Sequence, residues 1–302
     1  MSRVVVVGSY NVGLTVVGPS LPKPGETVLG HTFDVGPGGK GSNQAIGARR
    51  LGADVTLVAK VGRDDFGHAA RAFFRAEGLD GPGILESDTP TGAGVIIVDD
   101  DGHNMIAVAP GANAELIGDD LDRIDGIFAG AGYLLCQLEA SPELFTAAAS
   151  RARAAGARTV LNPAPAVPLD DETYAWVDIL TPNETELATL AGTPVESADD
   201  IVSAARSLMA RGVGEVIATL GQRGSMRVTA DTVASFGAHR VKAVDTTGAG
   251  DAFNAGLVSG LASGLDVTAA IELGSRAGAF CVTKLGVIDG LATLEQLDIE
   301  VP

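Results

Sequence analysis

The chain predicts an α/β fold, a doubly wound, mainly parallel sheet flanked by helices, with a small β-sheet lid. Three observations carry this prediction. Apolar strand-like runs alternate with helix-length segments along nearly all of the 302 residues, the pattern of parallel strands joined by helical crossovers. Glycine clusters stand where strand-like runs give way to helices, which is where such folds bind ligands. The alternation breaks twice, at about 14–35 and 91–110, where strand-like segments follow one another without a helix; these supply the lid.

Val4-Val5-Val6-Val7 is a buried first strand that runs into Gly8-Ser9-Tyr10-Asn11. Gly8 and Gly13 lack the G-x-G-x-x-G spacing, so a nicotinamide-dependent oxidoreductase is excluded. A Pro- and Gly-containing turn at 21–27 precedes residues 27–33, whose alternation predicts an exposed strand. Gly36-Pro37-Gly38-Gly39-Lys40-Gly41-Ser42-Asn43 then opens a helix through Ala48 and Leu51, stopped by Gly52. It is not a Walker A loop, because Gly41 and not Ser or Thr follows Lys40. It offers an ammonium (Lys40) and an amide (Asn43) on a flexible backbone, suited to a polyhydroxylated or anionic ligand.

Residues 55–61 predict a strand and 64–77 a helix. Residues 91–99 and 104–109 form a hairpin across Asp100-Asp101-Gly102-His103, a turn of the right chemistry. A strand at 134–138 ends in Glu139, and Ser141-Pro142 caps and opens the next helix. Strands at 160–162 and 179–181 follow, the second leading to a helix opened by Asn183-Glu184-Thr185-Glu186. A strand at 216–219 ends at Gly221, and shorter ones occupy 225–228 and 233–236. Helices at 250–261 and 268–282 close the chain. No linker, repeat or low-complexity tract divides it, which predicts a single domain over 1–302.

Composition narrows the function classes. Hydrophobic residues make up 46%, ample for a core, yet no apolar run reaches the length of a membrane span. The first strand is too short for a signal-peptide core, so a cytoplasmic protein is the expectation. A net charge of −17 argues against a nucleic-acid partner, whose phosphates need a basic face. Cys136 and Cys281 lie in apolar runs and read as buried free thiols. His31, His68, His103 and His239 are scattered at no zinc-ligand interval. The basic residues are 5 Lys against 16 Arg; such a balance, with abundant Asp, fits a salt-rich cytoplasm or a GC-rich genome.

Asp245-Thr246-Thr247-Gly248-Ala249-Gly250-Asp251 concentrates the chemistry. A glycine turn feeding a helix start leaves backbone N–H groups aimed at one point, a natural anion site. Asp251 places a negative charge beside it. On local grounds two roles stand level: a carboxylate favoured by the helix dipole, and a base placed to take a proton next to a bound anion.

Eight segments, in order along nearly the whole chain, resemble the ribokinase (pfkB-type) family of ATP-dependent carbohydrate kinases. They are Gly8-Ser9-x-Asn11, Pro24-Gly25-Glu26-Thr27, Gly38-Gly39-Lys40-Gly41-x-Asn43-Gln44-Ala45, Gln137-Leu138-Glu139, Asn162-Pro163-Ala164-Pro165, Thr181-Pro182-Asn183-Glu184-x-Glu186, Thr219-Leu220-Gly221 and Asp245-Thr246-x-Gly248-Ala249-Gly250-Asp251. The resemblance implies a ribokinase-like fold and transfer of the ATP γ-phosphoryl group to a primary sugar hydroxyl, with D-ribose to ribose 5-phosphate as the leading reaction. A ketohexose, deoxyribose or a nucleoside are the alternative acceptors. A non-catalytic sugar or nucleotide sensor on the same fold is the alternative class.

The resemblance also implies roles. Asp251 matches the general base, and the amides of Gly248, Ala249, Gly250 and Asp251 the anion hole. Asn11, Gly39, Lys40, Asn43 and Glu139 match sugar-binding positions, with Asp251 beside them. Asn183, Thr219, Gly221, Gly224, Gly250 and Ser275 belong on the ATP side. Glu186, with Asn183, orders Mg2+ through water, although the pair equally fits a helix capping box. Asp245, Thr247, Cys281, Lys284 and Gly286 match a K+ site. Two positions depart from the family pattern: Gly13 stands where a sugar-gripping Asp is usual, and Gly290 where a polar residue often lies near the cation. A homodimer formed through the lid is the expected assembly.

Overall fold

Val4 to Val7 face two different cores. Val5 and Val7 join one apolar cluster, and Val4 and Val6 the other. A strand covered on both faces reads as a continuous apolar run, as this one does. The computed structural model describes residues 2–124 and 126–298.

The first strand, β1 (Arg3–Val7), lies within the main sheet. On one side it pairs in parallel with β4 (Val55–Gly62), which pairs with β5 (Ile84–Ser87). On the other side come β8 (Ala131–Gln137), β9 (Arg158–Asn162), β10 (Ile179–Leu180) and β11 (Glu215–Thr219), all parallel. Antiparallel β12 (Ser225–Val228) and β13 (Val233–Phe236) complete that edge.

Helices α1 (Lys40–Arg50), α2 (Asp65–Ala76), α8 (Ala249–Ala262) and α9 (Val267–Cys281) bury apolar side chains in the cluster of Val4 and Val6. The short α3 (Gly118–Leu121), α4 (Pro142–Ala154), α5 (Asp171–Tyr174), α6 (Glu184–Ala191) and α7 (Ala198–Ala210) contribute to the opposite cluster. The mixed α/β class and the parallel sheet with helices on both faces are as the sequence predicts.

The lid is a second sheet in the order β3 (Thr32–Gly38), β2 (Asn11–Gly18), β6 (Ala93–Asp99) and β7 (Asn104–Ala109). Three expectations need correction. Strand β2 starts at Asn11 and not near 14, so the lid grows directly from the end of the first core strand. The strand expected at 27–33 lies at Thr32–Gly38 instead. There the Asn11↔Gly38 to Val17↔Thr32 register pairs it along β2, while Leu29, 86% exposed, has no face to bury. The chain also does not close on two helices, because α10 (Val287–Gly290) and α11 (Leu294–Leu297) follow α9.

Candidate active site

α8 carries the site and is buried from Asp251 to Ala262. Small residues allow this. A Cβ on Gly256 would lie 2.6 Å from the Gly274 Cα of α9, and one on Gly47 of α1 would lie 2.7 Å from the Ala255 Cβ. Close helix crossings thereby fix the start of α8 against the strand ends.

That start is open. Gly248 holds the N-cap with φ 80°, and no side chain caps the helix. Gly248 is required there twice over, since a Cβ would also meet Val287 at 2.5 Å. A Cβ on Gly250 would meet nothing within 4 Å, so space stands over the first turn. N–H groups of a first helical turn that face open space suit an anion.

Asp251 lies beside it, 6% exposed. Asn43 Nδ2 donates to its Oδ2 at 2.9 Å, and Gln44 Nε2 to its Oδ1 at 2.8 Å. Burial pushes the Asp251 carboxyl above the ordinary carboxylate range. The Lys40 charge and the two amide donors act against that rise, and Glu139 adds to it. A carboxylate whose proton affinity is raised and whose two oxygens are aimed by amides is equipped to accept a proton. Asp251 lies in the first turn of α8, where the helix dipole favours a carboxylate, but it caps no N–H, since both its oxygens accept from α1 side chains.

Lys40, Glu139 and Glu186 share this cleft. The Lys40 backbone N–H donates to Glu139 Oε2 at 2.9 Å, and Ser9 Oγ donates to the same oxygen. Asn11 is held by Asn113, whose Nδ2 reaches Asn11 Oδ1 at 2.9 Å. Asn11, Asn113 and Glu139, with Val108, Pro110, Leu138 and Pro165, line a cavity of about 210 Å³ between lid and strand ends. A Cβ on Gly39 would fall 2.7 Å from the Asn11 amide nitrogen, so only glycine lets α1 start against β2.

Asn183 and Glu186 form the reciprocal capping box. Asn183 Oδ1 accepts from Glu186 N–H and Glu186 Oε2 from Asn183 N–H, both at 2.8 Å. Burial raises the Glu186 carboxyl, the Asn183 N–H and Lys40 oppose this, and Asp251 adds its repulsion. Thr219 is bridged to Asn183 in parallel register. Gly221 and Gly224, at φ 55° and 89°, turn the chain from β11 into β12. Ser275 is half-buried on α9 and takes no part in the hydrogen bonds described here.

The 245–247 and 281–286 loops lock together. Asp245 Oδ1 accepts from Thr247 N–H at 2.9 Å and Oδ2 from Gly286 N–H at 3.0 Å. Burial works to raise this carboxyl, but the Thr247 and Gly286 donors outweigh it and hold it below the ordinary carboxylate range. Cys281 Sγ donates to the Thr247 carbonyl at 3.5 Å. Burial, with Asp251 and Asp245 nearby, pushes its thiol to about 12, so it stays a neutral donor. The Cys281 carbonyl accepts from Lys284 N–H at 3.1 Å, while the Lys284 ammonium stands 5.3 Å from the Phe280 ring centroid. Gly290 proves to be a packing requirement, since a Cβ there would come within 2.8 Å of Cys281 Sγ.

The sequence assigned no role to a buried amide chain that ties these parts together. Gln137 Nε2 donates to Gln44 Oε1 at 2.6 Å, and Gln44 Nε2 donates to Asn162 Oδ1 at 2.9 Å as well as to Asp251. Asn162 Nδ2 reaches the Thr181 carbonyl at 3.1 Å, and Thr181 Oγ1 reaches Asn254 Oδ1 at 2.6 Å. Asn254 Nδ2 returns to the Gly250 carbonyl at 2.9 Å. The available signal was two amides at strand ends, Gln137 and Asn162, and two in the first two turns of helices, Gln44 and Asn254.

The fold and this site define a phosphotransferase acting on a sugar hydroxyl. Residues 1–294 match the family model for pfkB family carbohydrate kinases, and the chain belongs to that family. It is 37% identical over 295 residues to a ribokinase of Haemophilus influenzae, covering 96% of this chain and 95% of that one. It is 35% identical over 297 residues to a deoxyribokinase of Salmonella typhi, covering 98% and 97%. The structure of an Arabidopsis thaliana ribokinase complexed with ribose and ATP superposes with a TM-score of 0.88 at 31% identity, over 98% and 97% of the two chains.

Proposed function

We propose that this protein transfers the γ-phosphoryl group of ATP to the primary hydroxyl of a monosaccharide, D-ribose being the leading acceptor and ribose 5-phosphate its product. The observation that carries the chemistry is Asp251, buried, raised in proton affinity and aimed by two amides beside an uncapped helix start. Asp251 takes the proton from the sugar hydroxyl as that oxygen attacks the γ-phosphorus. The bond from γ-phosphorus to the ADP oxygen breaks, and ADP leaves with the electron pair. Charge on the transferring group is met by the N–H groups of Gly248, Ala249, Gly250 and Asp251, already oriented before reaction. Ribose is supported by the ribokinase relatives and by the ribose and ATP bound to the Arabidopsis protein.

Asn11, Gly39, Lys40, Asn43 and Glu139 hold the sugar. Thr219, Gly221, Gly224 and Ser275 stand on the nucleotide side. Glu186 keeps Oε1 free of its capping bond, and an oxygen donor of that kind suits Mg2+ held through water; bound Mg2+ supplies positive charge to the ATP phosphates. The Asp245 carboxylate and the carbonyls of Thr247, Cys281, Lys284 and Gly286 are an all-oxygen set fitting a hard monovalent cation such as K+. The protein acts in the cytoplasm as a single kinase domain with its lid.

A homodimer forms through the lid. Phe33, Val35, Val95 and Met105 are 65, 47, 44 and 52% exposed. By strand alternation they share the face opposite Asn11 and Val108, and a second copy offers the matching apolar face. ADP release from ATP and Mg2+ over a sugar panel, with K+ or Na+, tests the activity. No turnover with any sugar overturns it.

A further inference from the structure

The turn at 245–248 is held from behind by the segment that follows α9. Val244 and Asp245 N–H donate to the Val282 carbonyl at 2.7 and 3.3 Å, and Gly286 N–H donates to Asp245 Oδ2 at 3.0 Å. Val287, the first residue of α10, seats its side chain on Gly248, where a Cβ would meet Val287 Cγ1 and Cγ2 at 2.5 and 3.0 Å. Where residues 286 and 287 lie therefore decides where α8 begins.

That segment is in turn gripped from another helix. Arg50 ends α1, and its Nη1 donates to the Ile288 carbonyl at 2.6 Å and to the Leu291 carbonyl at 2.9 Å. Glu77, just past α2, holds the rest of the guanidinium: Nε donates to Oε2 at 3.0 Å and Nη2 to Oε1 at 2.6 Å. The two side chains are 23 and 16% exposed. A basic residue in the last turn of a helix is favoured by the dipole alone, and Arg49 answers to that locally, on the Ala53 carbonyl. Arg50 instead leaves its own helix for carbonyls 238 and 241 residues further along the chain. Its planar fork serves both oxygens of one carboxylate and, through the remaining nitrogen, two carbonyls, which a lysine ammonium cannot match.

We propose that Arg50, braced by Glu77, is a positioning residue for phosphoryl transfer. It clamps α10 so that Gly286 and Val287 hold the 245–248 turn and aim the first N–H groups of α8 at the transferring group. Resting on the kinase reading above, this gives the site two residues remote from its sugar and nucleotide. Arg50 stands at the opposite end of α1 from Lys40, about 15 Å away along the helix. Its loss acts on the anion turn and spares the sugar contacts.

The test uses the full chain with Arg50→Met, Glu77→Gln and, as a control of like chemistry, Arg211→Met. The Arg211 guanidinium bonds Asp171 and the Leu169 carbonyl, beside the apolar cluster on the other face of the sheet. Steady-state kinetics, thermal melts and amide hydrogen exchange over 244–252 and 282–292 are read. In Arg50→Met kcat is expected to fall about 10- to 100-fold, with the ribose KM within about threefold of wild type. Exchange over 244–252 is expected to speed up together with that over 282–292. Glu77→Gln moves the same quantities by smaller factors, and decides the matter by the same split should Arg50→Met fail to fold. Arg211→Met keeps wild-type kcat and wild-type exchange over 244–252, whatever it costs in melting temperature. An unchanged kcat in Arg50→Met, a rise in ribose KM alone, or an equal loss of kcat in Arg211→Met overturns the inference. If the wild type phosphorylates no sugar, the kinase reading fails, while exchange over 244–252 still decides whether Arg50 holds the turn.

Discussion

Asp251→Asn separates base catalysis from binding. In the variant, the new side chain's Oδ1 keeps the bond from Gln44 Nε2, and its Nδ2 faces Asn43. The Asn43 Oδ1 has no partner in the wild-type structure, so turning that amide over offers an acceptor in place of a donor. Both hydrogen bonds therefore survive, and sugar affinity is expected to change by less than about threefold, under 1 kcal/mol. Loss of a general base costs about 10²- to 10⁴-fold in rate, or about 2.7–5.5 kcal/mol of transition-state stabilisation, all in kcat. Stability should move the other way. A carboxyl raised in the fold favours folding only in its neutral form; that contribution is full below the unfolded value near ~3.9 and is lost as pH rises through the folded value. Above that folded value the ionised Asp251 opposes folding, and there the neutral amide is expected to keep or raise the melting temperature. Steady-state kinetics with ribose, calorimetry and thermal melts read the three quantities. A kcat within tenfold of wild type, or a hundredfold loss of sugar affinity at unchanged kcat, refutes the assignment.

Turnover should fall with acid through an Asp251 limb above the ordinary carboxylate range. Lys40→Met removes the charge that lowers both Asp251 and Glu186, so the limb in a pH–kcat profile is expected to shift to higher pH; an unmoved limb counts against the shared cleft. Gly290→Ser drives a Cβ to within 2.8 Å of Cys281 Sγ and is expected to destabilise by about 1–3 kcal/mol, with Cys281→Ala in the same chain restoring only part of it in a denaturant titration, since the Cys281 carbonyl oxygen and Cα still stand 3.0 and 3.2 Å away. Phe33→Asp with Val95→Asp places charge on the exposed lid face, and light scattering should show the wild-type dimer become a monomer of unchanged fold. A wild type that is already monomeric removes the lid interface.

Most of the fold was legible because its signals are local. Val4–Val7 needs two buried faces wherever it sits, and Ser141-Pro142 caps a helix by its own chemistry, with Ser141 Oγ accepting from Leu144 N–H. The lid register was not legible, since apolar alternation at 27–33 competes with a Gly-rich stretch at 36–38 that only the pairing with Asn11 selects. The candidate site divides along the same line. Lys40, Asn43, Asn183, Glu186 and Asp251 sit at helix starts and could be named in advance, whereas Gln44, Asn162 and Asn254 act through long-range bonds to one another.

Those long-range bonds bear on how the base is held. Asp251 is aimed from α1, yet the same Gln44 amide is gripped by Gln137 of β8 and shared with Asn162 of β9. Asn162 continues through Thr181 and Asn254 to the Gly250 carbonyl, one residue before Asp251 itself. The network thus closes on the helix turn it started from, joining the Asp251 carboxylate and the first turn of α8 in one frame. A displacement of α1 that loosened the Gln44 bond would disturb the Asp251 carboxylate and the start of α8 together, so the two roles proposed for the 248–251 turn are mechanically one.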